Sequence, residues 1–128
     1  MKEIMEGEIE NFVPLFQAHL NSEKILVLGE GGDIPMTVDT GFSGGIAIPL
    51  NLINEMGLEL VDFDTFRLAT GEIVELPIFL GKVIIKKSEI ETWFIPGDSL
   101  LGMEFLYSAG SLLSLNFKDD TVKLFTEL

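Results

Sequence analysis

The sequence predicts an all-β domain carrying one or two short helices. Three observations predict it. Turn residues recur roughly every ten positions, the spacing of a domain built from short strands. The apolar runs between them are brief and rich in Ile, Val and Phe, residues suited to a pleated, half-buried surface. The chain has 128 residues, is 47% hydrophobic and shows no break in composition, so residues 1–128 read as one domain around one core.

Each element follows from its local pattern. The Glu-rich start reads as a solvated tail. The run from Ile9 to Leu20 opens the folded body, with Pro14 suited to a strand start or edge. Ile25–Leu28 is a short strand stopped by Gly29-Glu30-Gly31-Gly32-Asp33, a loop by composition. Ile34–Val38 is a strand running into Asp39-Thr40-Gly41, and Ile46–Ile48 is another. After Pro49, Leu50–Gly57 reads as a brief helix, with Asn51 placed to cap it and Gly57 to stop it. Phe66–Ala69 and Ile73–Phe79 flank Thr70-Gly71-Glu72 as the arms of a hairpin, Gly71 near its tip. Val83–Ile85 and Ile90–Ile95 are two strands around the turn Lys86–Glu89. Leu100–Ser108 holds a second short helix, and Leu112–Phe117 pairs with Val122–Phe125 across a polar turn containing Asp119-Asp120.

Composition removes most kinds of chemistry. Eight basic side chains stand against 21 acidic ones, a net charge of −13, which argues against a nucleic-acid or anionic-membrane partner because phosphate is held by Lys and Arg. The absence of cysteine excludes a disulfide framework, a thiolate nucleophile and a Cys-ligated metal. The single histidine, His19, sits in an ordinary strand pattern, and no nucleophile-elbow sequence accompanies it. Gly29–Gly32 is glycine-rich, but Asp33 and Pro35 follow and no helix opens there to receive a phosphate. Asp119-Asp120 and the acidic start have the spacing of neither a calcium loop nor a helical ligand pair, so no metal or cofactor is expected. Met1–Glu6 lacks the apolar segment of a secretory signal and no apolar run reaches the length of a membrane span, which makes a cytoplasmic protein the expectation. What remains is carboxylate chemistry.

The positive signal is Val38-Asp39-Thr40-Gly41-Phe42-Ser43-Gly44, where a strand delivers one carboxylate to a sharp turn of small residues. About sixty residues on stands a second landmark, Asp98-Ser99-Leu100-Leu101-Gly102-Met103-Glu104. Together, in this order, the two resemble the retropepsin-like aspartic proteases, and most closely the small single-domain prokaryotic members of that clan. The resemblance covers nearly the whole chain. It implies a closed β-barrel of the acid-protease type, with Asp39 as the catalytic residue and Thr40 and Gly41 in the active-site loop. It further implies that Leu100, Leu101 and Gly102 support that loop from beneath, and that Thr70 and Gly71 belong to a flap over the substrate. Two departures stand out. Phe42 occupies the position after Asp-Thr-Gly that usually holds a small residue, and Met103 replaces the arginine common in the viral enzymes.

Peptide hydrolysis by this route needs two carboxylates facing one water, one acting as base while the other, protonated, polarises the scissile carbonyl. The chain holds one Asp-Thr-Gly; Asp64-Thr65-Phe66 and Asp98-Ser99-Leu100 lack the glycine. A complete site therefore implies a twofold homodimer with Asp39 from each subunit at the axis, acting on a peptide or protein substrate. Phe42, Ile78, Phe79 and Leu101 are candidates for an apolar groove or for the core. The competing expectation keeps the same fold as a non-catalytic dimerisation or peptide-binding module.

Overall fold

In a computed structural model, which describes residues 1–127, eleven strands hydrogen-bond into one sheet and two helices of seven residues each pack against it. The strands are β1 (Lys2–Glu10), β2 (Val13–Leu20), β3 (Leu26–Leu28), β4 (Ile34–Val38), β5 (Ile46–Ile48), β6 (Glu59–Arg67), β7 (Ile73–Ile85), β8 (Ser88–Pro96), β9 (Leu100–Leu101), β10 (Leu112–Asn116) and β11 (Thr121–Thr126). Helix α1 (Leu50–Met56) follows β5, and α2 (Met103–Ala109) follows β9. The pairing path runs β10-β11-β1-β2-β3-β7-β8-β5-β9-β4, β4 pairs back onto β2, and β6 attaches to β7 alone. No helix among the described residues is long and apolar enough to cross a membrane.

The core lies inside this path. Phe16, Leu26, Leu28, Met36, Ile46, Ile48, Val83, Phe94, Leu101 and Phe105 are all fully buried and belong to one cluster. Burial of aliphatic and aromatic side chains at this density is the main favourable term in folding, with each large side chain contributing roughly 1.5–3 kcal/mol. Helix α1 stops as its sequence indicates: Gly57 adopts the left-handed conformation at φ 65° and its N–H donates to Asn54 O.

Several local expectations need correction. The acidic start is a strand, not a tail: β1 pairs with both β11 and β2, and Met5 is only 1% exposed. Four of its glutamates, Glu3, Glu6, Glu8 and Glu10, hid this alternation. Lys123 on β11 answers two of them, lying 3.4 Å from Glu3 and 3.4 Å from Glu6. Hydrogen bonding to Glu3 first, and the charges of both glutamates next, raise the Lys123 ammonium above its ordinary value.

The run Ile9–Leu20 is broken by a turn at Asn11-Phe12, both at positive φ, the geometry of a two-residue hairpin whose twist matches that of the strands. Lys86-Lys87 repeats it between β7 and β8, leaving Ser88 and Glu89 inside the strand. Asn51 lies within α1 and caps nothing; the N-cap position is Pro49. Ile73–Phe79 and Val83–Ile85 belong to one 13-residue strand, β7, in which Pro77 pairs with β6 at a point before β7 reaches β8. The second helix begins only at Met103; Leu100 and Leu101 form β9.

Because Met5 is buried in the core cluster, Met5→Ala is expected to lower the unfolding free energy by about 2–5 kcal/mol in urea titration, whereas Glu8→Ala on the exposed face changes it by about 0.5 kcal/mol or less.

Candidate active site

Strand β4 ends at Val38 and hands the chain to Asp39, which is half-buried. The carboxylate is held locally: its Oδ1 accepts the Gly41 N–H at 2.9 Å, and the Asp39 carbonyl accepts the Phe42 N–H at 3.1 Å. Such a turn, in which an aspartate side chain bonds the backbone two residues on, suits a short carboxylate followed by a small residue.

The second landmark holds this loop from beneath through the backbone. β9 runs parallel to β4, pairing Thr37 with Leu100 and Val38 with Leu101. The Asp39 N–H donates to Leu101 O at 3.0 Å. In the other direction Gly102 N–H donates to Gly45 O at 2.7 Å, Met103 N–H to Phe42 O at 2.8 Å and Glu104 N–H to Gly44 O at 3.1 Å. The last three bonds satisfy the first N–H groups of α2, which has no side-chain cap. The loop's carbonyls are the cap.

This contact is so close that a Cβ on Gly102 would come within 2.2 Å of Gly44 O and 2.8 Å of the Phe42 ring. The same ring would come within 2.7 Å of a Cβ at Gly44. Phe42 is therefore accommodated by two glycines, which gives the bulky residue after Asp-Thr-Gly its structural account.

A cavity of about 660 Å³ opens beside Asp39. Gly41, Phe42, Pro96, Asp98 and Leu100 line one side of it; Phe66, Arg67, Leu68 and Ala69, from the end of β6 and the hairpin beyond, line the other. A second lobe of about 450 Å³ shares Phe42, Phe66 and Ile95 with the first, so the two adjoin as one groove. On the opposite side of the loop, Thr40 borders a third cavity of about 550 Å³, walled by Met103, Leu106, Tyr107, Leu112 and Leu124. The Asp-Thr-Gly loop thus separates a groove that meets Asp39 from an apolar recess that meets Thr40.

The structure brings Asp39, Thr40, Gly41, Leu100, Leu101 and Gly102 together. It does not bring Thr70 and Gly71 to the groove: both are exposed at the tip of the β6–β7 hairpin, Gly71 at φ 89° and Thr70 accepting the Glu72 N–H through Oγ1 at 3.4 Å. The hairpin residues that reach the groove are Phe66 to Ala69. Of the apolar candidates, Phe42 and Ile78 line the groove, Leu101 is fully buried and Phe79 packs against the core. Sequence reasoning missed Asp98 as a lining residue, and also Asp62, Asp64 and Glu104 in the second lobe. The signal for the two aspartates was available in the alternation Asp62-Phe63-Asp64-Thr65-Phe66, which places Asp62, Asp64 and Phe66 on one face of a strand.

The chain matches no protein-family model, no curated protein and no solved structure.

The backbone clamp sets two expectations. Gly102→Ala, which forces a Cβ onto a carbonyl, is expected to lower stability by about 2–4 kcal/mol in thermal or urea unfolding. Gly41→Ala meets only the Asp39 Oδ1, at 3.3 Å, and is expected to stay within about 1 kcal/mol of the unsubstituted chain by the same measurement.

Proposed function

We propose that this chain is an aspartic endopeptidase that works as a homodimer, each subunit contributing one Asp39. The observation that carries the reading is the placement of a half-buried carboxylate, fixed by the Gly41 N–H, at the mouth of a groove lined by a hairpin on its far side. In the reaction proposed, one Asp39 takes a proton from a water while Asp39 of the partner subunit, protonated, donates to the scissile carbonyl oxygen. The water oxygen bonds the carbonyl carbon; the C–N bond then breaks as the leaving nitrogen takes the proton that Asp39 removed from the water, and the diol returns a proton to Asp39 of the partner subunit. No metal or cofactor enters this scheme. The groove takes the peptide in extended form, and the β6–β7 hairpin acts as the flap that limits water access.

Two further features support the reading. The return of β4 to β2 is the pairing that a closed barrel of the acid-protease type requires. The recess beside Thr40, next to Asp39 in sequence, is walled by Met103, Leu106, Leu112 and Leu124 and offers a second copy an apolar surface. With −13 on each subunit, such a contact has to rest on apolar and backbone groups rather than on charge.

Asp39→Asn retains the oxygen that accepts the Gly41 N–H, so the variant should fold and assemble as the unsubstituted chain does. The expected result is a dimer by sedimentation equilibrium in both proteins, with cleavage of a mixed peptide library reduced about a thousandfold or more in the variant. Full cleavage by the variant, or cleavage by a monomer, would overturn the proposal. A stable dimer that binds peptides and cleaves none would instead identify a binding module.

A further inference from the structure

We infer that the second lobe of the groove, beyond Phe42, selects a substrate segment bearing a basic side chain, lysine or arginine. The inference deepens the endopeptidase reading and rests on its view that the groove takes an extended peptide. The lobe is a trough of about 450 Å³ that Phe66, Ile78 and Trp93 help line, and it shares Phe42, Phe66 and Ile95 with the cavity beside Asp39. Three carboxylates from two elements line it too: Asp62 and Asp64 from β6, and Glu104 from the first turn of α2.

None of the three is within ion-pair distance of a lysine or arginine among the described residues, where every such pair involves Lys24, Lys82 or Lys123. The chain's single arginine, Arg67, lies nearby but donates to Gly71 O at the hairpin tip. Asp62 and Asp64 are held in place, since each Oδ1 accepts the next residue's N–H at 2.8 Å.

Charge complementarity selects the occupant. A purely apolar segment laid over this trough strips water from carboxylates and returns no partner to them, which is unfavourable. A lysine or arginine lays its methylene stem along the aromatic side chains and brings its cationic head to the carboxylates. The faces of Phe66 and Trp93 attract the same head. An acidic segment is repelled.

The carboxylates have one competing role. β6 pairs only with β7, and charged side chains on such a strand protect its free edge against pairing with another chain. That role predicts aggregation, not altered selectivity, when the charges are removed.

The test uses the full chain carrying Asp39→Asn, so that binding is read without cleavage. Fluorescein-labelled peptides share one apolar sequence in which a single position, moved along the peptide, is lysine, norleucine or glutamate. Binding is followed by fluorescence anisotropy at low and high salt. Lysine at one position is expected to bind about tenfold tighter than norleucine. Adding Asp62→Asn with Asp64→Asn, or Glu104→Gln, should reduce that preference to about twofold or less. Glu23→Gln with Glu30→Gln removes as much charge outside the groove as the aspartate pair does within it, and should leave the preference intact. Equal binding of lysine and norleucine peptides at every position overturns the inference. So does loss of the preference in the Glu23/Glu30 variant, or aggregation of the Asp62/Asp64 variant with its preference unchanged. The same peptides given to the chain with Asp39 intact separate the two readings. Cleavage without basic preference overturns this inference and leaves the endopeptidase reading standing. Selective binding without cleavage does the reverse.

Discussion

Everything at the candidate site hangs on four backbone hydrogen bonds between the loop 39–45 and the segment 101–104. They run in both directions, Asp39 N–H to Leu101 O one way and Gly102, Met103 and Glu104 N–H to loop carbonyls the other. One set of contacts therefore does two jobs: it holds the carboxylate at the end of β4 and it caps α2, whose first N–H groups have no side-chain partner. Neither segment is satisfied alone. Backbone groups left unpaired are costly where they are buried, as at Gly45 and Gly102, so the loop and the helix stabilise one another. The fully buried Leu101 anchors the arrangement in the core, and Gly102 permits the approach distance.

The clamp also divides the surface. The loop stands between the groove that meets Asp39 and the apolar recess that meets Thr40. The single step from Asp39 to Thr40 takes the chain from the groove to the apolar recess. Phe42, seated between Gly44 and Gly102, fills the floor where the two lobes of the groove meet. The residue that departs from the resembled pattern is thus also the one that shapes the groove.

The parts of this architecture legible in the sequence were those governed by local chemistry. Ile34–Val38 leading to Asp39, the brief helix ended by Gly57 and the hairpin tip at Gly71 each follow from side-chain type and turn preference, and the structure contains them. What was not legible depended on pairing. β1 was hidden because its four glutamates make an edge-like sequence look solvated, although it pairs with β11 and β2 and its Met5 is buried in the core. The turns at Asn11-Phe12 and Lys86-Lys87 carry no glycine, so the usual hairpin signature is missing, and the positive φ angles are imposed by strands already in register. β6 was read only at its end, Phe66-Arg67, because Glu59 to Thr65 is exposed throughout and its alternation marks a ribbon standing off the core. For the site, the two landmarks could be read, but the groove's acidic lobe is assembled from β6 and α2, which sequence order keeps apart.

The pairing of β1 with β11, from Lys2 opposite Thr126 to Glu8 opposite Thr121, has a consequence for synthesis. β1 is synthesised more than a hundred residues ahead of β11, so it cannot complete this pairing until residue 126 has emerged. Through most of translation it presents an open ladder and an uncovered Met5 to the cell. The glutamates at 3, 6, 8 and 10 give the nascent strand a run of like charge along that waiting edge, which discourages pairing with a neighbouring chain on the same message. The acidity that disguises β1 as a tail thus also suits an edge that waits for its partner.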